Sequence, residues 1–236
     1  MTTLCFIHGA GSTGEVFAAQ RSAFPDAIVV QLPGHDRAGD ARTIAEFADA
    51  VATDLDAADA REVVLCGSSM GGAIALELGL RAHPRVRALV LLGSGARLRV
   101  APQLFEDLER DFGGAVRRLA RMFFHAPTVD AIERAATMME RVGRERTIAD
   151  FRACDAFDVR ERLAELRLPV LAVTGAGDVL TPPKFATFIG ERVAGARVEI
   201  VPEAGHLVMT EAPQVVNDLL AGFVASLDDA RVKGHA

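Results

Sequence analysis

The chain has 236 residues, half of them hydrophobic and a quarter charged, with a formal net charge of -6 and a pI near 5.5. This length and composition predict one soluble globular unit with room for an insertion, and they exclude long disordered or membrane-spanning runs. The acidic balance argues against a protein that coats nucleic acid or an anionic membrane, so the expected partner is a small-molecule substrate. The first apolar run, Leu4 to Ile7, is short and has no basic leader, which predicts a cytoplasmic location.

Six short, continuous apolar runs predict strands that are covered on both faces. Between most of them lie segments with helical periodicity, such as Thr43 to Leu55 and Gly72 to Ala82. Strands alternating with helices indicate a parallel sheet wound with right-handed crossovers, the α/β class. The six runs are Leu4 to Ile7, Ala27 to Leu32, Val63 to Cys66, Ala88 to Leu92, Val170 to Thr174 and Val198 to Val201.

One interval, from about Ser94 to Leu166, has no strand pattern and is rich in residues that favour helices. Helical spacing is visible in Leu104 to Phe112, Ala115 to Phe124 and Ala131 to Val142, while Pro102 and Pro127 punctuate the helices. We therefore predict an all-helical cap over residues 94–166, inserted after the fourth strand. The core domain then comprises residues 1–93 and 167–236.

The cysteines predict no chemistry. Cys5, Cys66 and Cys154 form no CxxC pair and lie in apolar surroundings, which is typical of buried packing. We expect no disulfide framework, no metal site and no organic cofactor.

A strand runs into a helix through Gly67-Ser68-Ser69-Met70-Gly71, which fits the pattern G-x-S-x-G only if Ser69 is the central residue. Small residues two before and two after the serine allow a tight strand-to-helix turn, and the helix N-terminus favours developing negative charge there. The context predicts that Ser69 is a nucleophile. A purely structural turn is the alternative.

A serine nucleophile needs a base and a group that orients that base. His206 follows the last strand in "VPEAGHLVMTEAP", and Asp178 follows the fifth strand in "VTGAGDVLTPP", so we predict His206 as general base and Asp178 as its partner. The alternatives are an ordinary loop histidine and an aspartate that caps the helix beginning near Pro182. Other histidines, at positions 8, 35, 83, 125 and 235, have structural or solvated interpretations; Asp155 and Asp158 precede the fifth strand and are poorer candidates.

The predicted site lies at the C-terminal ends of parallel strands, where open α/β sheets bind their ligands. The first strand ends there too, with "FIHGAGSTG", so the backbone N–H groups of Ala10 and Met70 are predicted to bind an oxyanion. A flexible glycine turn is the alternative for the first of these loops.

The set "FIHGAGS", "GSSMGG", "TGAGDVLTPP" and "EAGHLVMTEAP" resembles the α/β-hydrolase superfamily, in the branch of small esterases, lactonases and carbon–carbon bond hydrolases. "LPGHDRAGD" is similar to a family loop that usually has glycine in place of Asp36. The resemblance implies the roles given above for Ser69, Asp178, His206, Ala10 and Met70, together with a helical cap. Because only two residues precede the first strand region, we expect a trimmed sheet of six parallel strands in the order 2-1-3-4-5-6.

The predicted activity is hydrolysis of a carboxylic ester through an acyl-enzyme. Alternatives are a lactonase, thioesterase, carbon–carbon bond hydrolase or lyase on the same site, and, in another class, a non-catalytic receptor for small ligands. Phe123, Phe124 and Leu207 are candidate substrate contacts, with Met122, Met138 and Met139 as further apolar candidates; simple packing is the alternative. The cap arginines Arg117, Arg118 and Arg121 fit a solvated helix face better than a carboxylate site. The second strand is an exposed edge, so the protein is expected to be a monomer or a homodimer.

Overall fold

The computed structural model describes residues 2–234, with side chains up to residue 229. Six strands form one all-parallel sheet in the order β2-β1-β3-β4-β5-β6, which confirms the predicted α/β-hydrolase topology. The strands are β1 (Thr3–Ile7), β2 (Ile28–Val30), β3 (Val63–Ser68), β4 (Val86–Leu92), β5 (Val170–Gly175) and β6 (Arg197–Val201). The helices are α1 (Ala18–Ala23), α2 (Ile44–Ala57), α3 (Met70–Leu80), α4 (Pro102–Arg110), α5 (Phe112–Met122), α6 (Val129–Val142), α7 (Arg144–Ala156), α8 (Pro183–Arg192), α9 (Val208–Glu211) and α10 (Pro213–Gly234), with 3₁₀ turns at Gly14–Phe17 and Arg160–Glu165.

The four inner strands β1, β3, β4 and β5 are buried on both faces, which explains why they are continuous apolar runs. In β1, Cys5 and Ile7 pack with α2 and α3 on one side, while Leu4 and Phe6 pack with α10 on the other. Helix α3 is itself buried along most of its length, so the helix that follows Ser69 is held firmly in the core.

Strand β2 is shorter than the predicted run from Ala27 to Leu32 and pairs only with β1 among the described strands. It ends early because the Leu32 N–H donates to the His8 ring at 3.2 Å instead of extending the ladder. The chain then turns at Gly34 and Asp36, which have φ values of 82° and 54°. Dimerisation over this edge stays a prediction.

The interval after β4 consists of helices α4 to α7, as expected for an all-helical insertion, and we call residues 94–166 the inserted segment. Pro102 occupies the first turn of α4, and Pro127 precedes Thr128, whose side chain caps α6. Helix α7 had no predicted bounds, because its buried face includes polar Thr147 and Asp150 and breaks the apolar pattern. The division into two domains stays a prediction. Within residues 2–234, no helix combines the length and the apolar character needed to cross a bilayer.

Candidate active site

Ser69 lies at the turn between β3 and α3 in a strained backbone conformation, with φ 51° and ψ -114°. Its N–H donates to Leu92 O at 2.9 Å, and its carbonyl accepts a hydrogen bond from Ser94 Oγ at 2.7 Å. A Cβ on Gly67 would overlap the carbonyl of Gly71, and a Cβ on Gly71 would overlap the carbonyl of Ile7. The glycines are therefore required by the close passage of strand, turn and helix, which holds a half-buried Ser69 at the edge of a cavity.

Asp178 and His206 are hydrogen-bonded to each other. The distance from His206 Nδ1 to Asp178 Oδ2 is 2.9 Å, and both side chains are buried. Thr181 Oγ1 donates to the same carboxylate oxygen at 2.7 Å, while the N–H groups of Leu180 and Thr181 donate to Asp178 Oδ1 at 2.9 and 2.8 Å. Because both oxygens of the carboxylate accept hydrogen bonds, the Asp178 side chain is held in one orientation toward the imidazole.

The Asp178 carboxyl titrates below its ordinary range. Burial acts to raise its pKa, but the hydrogen bond and charge of His206, followed by the donors of Thr181, outweigh burial and lower the pKa. Asp178 is thus a carboxylate at neutral pH, as a group that stabilises an imidazolium must be.

Ser69 and His206 border the same cavity. Within the described part of the chain, no hydrogen bond joins the Ser69 hydroxyl to the His206 ring, whose Nδ1 faces Asp178 and Thr181. The structure thus brings Asp178 and His206 into contact and places Ser69 and His206 on the wall of one cavity. Catalytic hydrogen bonds are often long before substrate binds, so this geometry is compatible with proton transfer from serine to histidine.

The two predicted oxyanion donors lie on either side of Ser69. Ala10 follows β1 in a loop on the cavity wall, and Met70 opens α3 directly after Ser69. A Cβ on Gly9 would come within 3.2 Å of Ser69 Cβ, which shows how closely the Ala10 loop approaches the serine. Among the described residues, neither the Ala10 N–H nor the Met70 N–H donates a hydrogen bond to a loop or turn acceptor. Both groups are therefore available to a ligand oxygen.

The cavity has a volume of about 1170 Å³ and is lined mostly by apolar side chains of the core and the inserted segment. The predicted substrate contacts Phe123, Phe124 and Leu207 all lie on its wall, as do Met122, Met138 and Met139. The Phe123 ring centroid lies 5.9 Å from that of His206, so the apolar wall extends up to the predicted base. Of the three cap arginines, Arg118 borders the cavity, and Arg117 pairs with Glu133 and Glu140.

The alternative histidines and aspartates lie elsewhere. Asp155 accepts the Val100 N–H, and Asp158 pairs with Arg160 and Arg97. His8 is buried beside β2, His83 lies near Asp56, and His125 packs behind Gly177. His35 was expected on a polar loop with an ordinary role; it is instead fully buried against Asp150. His235 lies outside the described residues.

Sequence reasoning missed residues that support the predicted base. Thr181 contacts both Asp178 and His206, and its position three residues after the aspartate is the signal that could have suggested it. Glu211 accepts the Gly205 N–H at 2.6 Å and the His125 N–H at 2.8 Å, which ties the His206 loop to the segment after α5. No short-range pattern marks that second contact, because it joins segments 86 residues apart. Among residues 2–234, no three His, Cys, Asp or Glu side chains gather to hold a metal ion.

Comparison with known proteins shows which family and fold the chain resembles. Residues 6–219 match the model of the alpha/beta hydrolase family. The chain is 29% identical over 239 residues to a pimeloyl-[acyl-carrier protein] methyl ester esterase of Neisseria meningitidis serogroup B, covering 92% of this chain and 91% of that protein.

Two solved structures share the fold over nearly the whole chain. A thermophilic esterase superposes with a TM-score of 0.86 at 28% identity, covering 95% of this chain and 90% of its own. Est816, described as an N-acyl homoserine lactone degrading enzyme, superposes with a TM-score of 0.83 at 26% identity, covering 94% and 93%. Sheet order, family match and these likenesses converge, and the chain belongs to the alpha/beta hydrolase family, as an enzyme of its esterase-like branch.

Proposed function

We propose that the protein is a serine hydrolase that cleaves a carboxylic ester of a small molecule through an acyl-enzyme. Ser69 is the nucleophile, His206 the general base, Asp178 its orienting carboxylate, and the N–H groups of Ala10 and Met70 form the oxyanion hole. The observation that carries this proposal is the buried pair of Asp178 and His206, 2.9 Å apart, on the cavity that also exposes the strained Ser69.

The reaction has two halves. In the first, His206 takes the Ser69 proton as Oγ bonds to the ester carbonyl carbon, and the carbonyl oxygen becomes an oxyanion held by the two N–H groups. The carbon–oxygen bond to the alcohol then breaks, and His206 gives its proton to the departing oxygen. In the second half, a water gives a proton to His206 as its oxygen bonds to the acyl carbon. The bond from that carbon to Ser69 Oγ then breaks, the acid leaves, and His206 returns the proton to Oγ.

The cavity supports an apolar acyl group as the substrate feature that is recognised. Aromatic and aliphatic side chains, including Phe123 and Leu207, line the cavity that Ser69 borders, and burial of each methylene of an acyl chain contributes about 0.8 kcal/mol. A volume of about 1170 Å³ is larger than a short acyl group needs, so esters with longer acyl chains fit better than acetates.

A lactone is the second candidate substrate. The likeness to Est816 favours it, and a lactone presents the same carbonyl to Ser69, with the alcohol retained on the acyl chain after ring opening. If the protein were instead a non-catalytic receptor, Ser69 would be unreactive and neither an ester nor a lactone would be hydrolysed.

The test is reaction with a fluorophosphonate probe, followed by turnover of nitrophenyl esters of increasing acyl length beside matched lactones. We expect labelling of Ser69, hydrolysis that improves with acyl length, and loss of at least about 1000-fold in kcat for Ser69→Ala. Ser226→Ala is the control, since this serine lies in α10, bonds to Phe223 O and does not border the cavity, so activity should be kept. Full ester turnover by Ser69→Ala would refute the proposal, and a folded wild type that neither labels nor turns over would indicate the receptor.

A further inference from the structure

A buried cluster of charged side chains lies beneath the Ala10 loop and has no part in the proposed proton transfer. We call Asp150, His35 and Arg146 the Asp150 cluster. Asp150 and His35 have no exposed side-chain surface, and their Oδ2 and Nε2 atoms are 2.7 Å apart. Arg146 Nε donates to Asp150 Oδ1 at 2.9 Å, and the Arg146 side chain is 9% exposed. A carboxylate buried this deeply is tolerated only with such compensation, so its position is tightly determined.

Asp150 reaches from the inserted segment into the oxyanion loop. It lies on α7, and its Oδ2 accepts the Gly11 N–H at 2.9 Å. This N–H belongs to the peptide group that directly follows Ala10. Gly11 has φ 58°, and a Cβ there would come within 3.0 Å of Met139 and 3.3 Å of Thr147. The loop is thus held against the inserted helices at the residue next to the predicted oxyanion donor.

His35 fixes the other side of the carboxylate. Its Nε2 faces Asp150, and its Nδ1 faces Pro33 O at 3.1 Å. The ring is thus held between the Asp150 carboxylate and the Pro33 carbonyl. His35 and Arg146 contact different oxygens of the one carboxylate, so Asp150 cannot rotate without losing one of these partners.

His8 extends the arrangement to the peptide group that carries the Ala10 N–H. Its Nε2 accepts the Leu32 N–H at 3.2 Å, which leaves the proton on Nδ1, and Nδ1 donates to Gly9 O at 3.1 Å. Gly9 O and the Ala10 N–H are opposite ends of one peptide plane. Burial, and then the neighbouring His35 ring 4.8 Å away, lower the pKa of His8 to about 3, so the ring stays in this neutral form.

We propose that Asp150 is a positioning residue of the oxyanion hole, which fixes the orientation of the Ala10 N–H through the Gly11 N–H and the Asp150 cluster. The inference rests on the proposed function, since it assigns a task to the predicted oxyanion donor. It makes the inserted segment a contributor to stabilisation of the transition state as well as a wall of the substrate cavity.

The test compares Asp150→Asn with wild type. The substitution preserves the shape of the side chain but removes its charge and one of its two acceptor oxygens. If the Ala10 N–H is misplaced by a fraction of an ångström, its hydrogen bond stabilises the transition state less, while substrate binding is hardly affected. We therefore expect kcat to fall about 10- to 100-fold with KM nearly unchanged. The affinity for a trifluoromethyl ketone, which adds to the serine and presents an oxyanion, should fall by the same factor. Affinity for the matching methylene compound without the carbonyl should not change.

Glu77→Gln is the matched control. This substitution removes the same charge from a residue that pairs with Arg81 and Arg162, toward the end of α3 that lies away from Ser69. A purely structural role for Asp150 would lower the unfolding midpoint of Asp150→Asn while kcat of the folded fraction and inhibitor affinities stay at wild-type values, and this result would overturn the inference. If Asp150→Asn does not fold, His35→Leu tests the same point, with a smaller loss of the same pattern expected. A wild type that is inert toward esters and toward the trifluoromethyl ketone would contradict the proposed function instead.

Discussion

Ser69 has a backbone conformation that few residues other than glycine adopt. Its φ of 51° costs about 1–3 kcal/mol and persists only where the surroundings impose it. Here those surroundings are the hydrogen bonds from Ser69 N to Leu92 O and from Ser94 Oγ to Ser69 O, together with the glycines that allow strand and helix to approach. These contacts impose the strained conformation, which places Ser69 at the edge of the cavity.

Replacement of Gly71 by alanine tests this account. A Cβ at position 71 would overlap Ile7 O, which is a backbone atom of a central strand and cannot move aside. We expect Gly71→Ala to destabilise the fold by about 3 kcal/mol, at the upper end of overpacking effects, and to lower activity with it. Gly222→Ala is the control: Gly222 is an exposed position of α10 with nothing within 4 Å of an added Cβ, so urea unfolding should show a gain of about 0.5–1 kcal/mol. Equal midpoints for the two variants would contradict the steric explanation.

The side chains that the sequence could predict are those whose role depends on local context. Ser69, Asp178 and His206 each follow a recognisable strand, so topology alone brings them to one sheet edge. Asp150 could not be found in this way, because its contact with Gly11 spans 139 positions and depends on how α7 packs. The conformation at Asp36 agrees with the sequence resemblance. The family usually has glycine at this position, and Asp36 adopts φ 54°, a conformation that aspartate tolerates better than most residues.

The start of α2 is marked by a capping residue. The sequence pattern predicts a helix from Thr43, and α2 begins one residue later, at Ile44, with Thr43 as its N-cap. The predicted run from Gly72 to Ala82 is off by two residues at each end, because α3 (Met70–Leu80) starts directly after the Ser69 turn. Thr43 Oγ1 accepts the Glu46 N–H at 3.1 Å, and the Glu46 carboxylate accepts the Thr43 N–H at 3.0 Å, a complete capping box. Helix α7 begins after Gly143 with no side-chain cap and buries polar groups, so neither composition nor capping marks its start.

The capping box gives a prediction for α2. Thr43→Ala removes the acceptor of the Glu46 N–H and should lower the free energy of unfolding by about 1 kcal/mol. Thr53→Ala is a control in the same helix, where the exposed hydroxyl only bonds back to Asp49 O, and a change within about 0.5 kcal/mol is expected. Both variants should keep wild-type kcat, since α2 does not border the cavity. Equal destabilisation by the two would show that the box contributes little.

The inserted segment is only partly independent of the sheet. Its helices share an apolar cluster that includes Leu108, Leu119 and Met139, together with Ile148 of α7. The end of α7 and the chain after it, by contrast, belong to the same buried cluster as β1 and α3, with Cys154 and Phe157 among its members. From this shared core and from the contact between Asp150 and Gly11, we predict that the segment from α7 onward does not unfold separately from the sheet.

The three cysteines can report whether the molecule unfolds as one unit. The chain has no Trp or Tyr, but Cys5, Cys66 and Cys154 lie in β1, β3 and α7. Burial, as the largest cause, raises the pKa of every one of these thiols, that of Cys5 to about 12, so they should not react in the folded state.

Pulsed thiol labelling across a urea series, with each cysteine followed by peptide mass, should therefore give one midpoint for all three, equal to that of far-UV circular dichroism. As a control, each cysteine is also followed in a variant that retains only that cysteine, so that the reaction of one thiol cannot promote the labelling of another. If Cys154 became reactive at clearly lower urea than Cys5 and Cys66, α7 would open while the sheet stays folded. The Ala10 loop would then lose its Asp150 contact before the rest of the site is disturbed, and ester turnover should fall with the labelling of Cys154 rather than with that of Cys5.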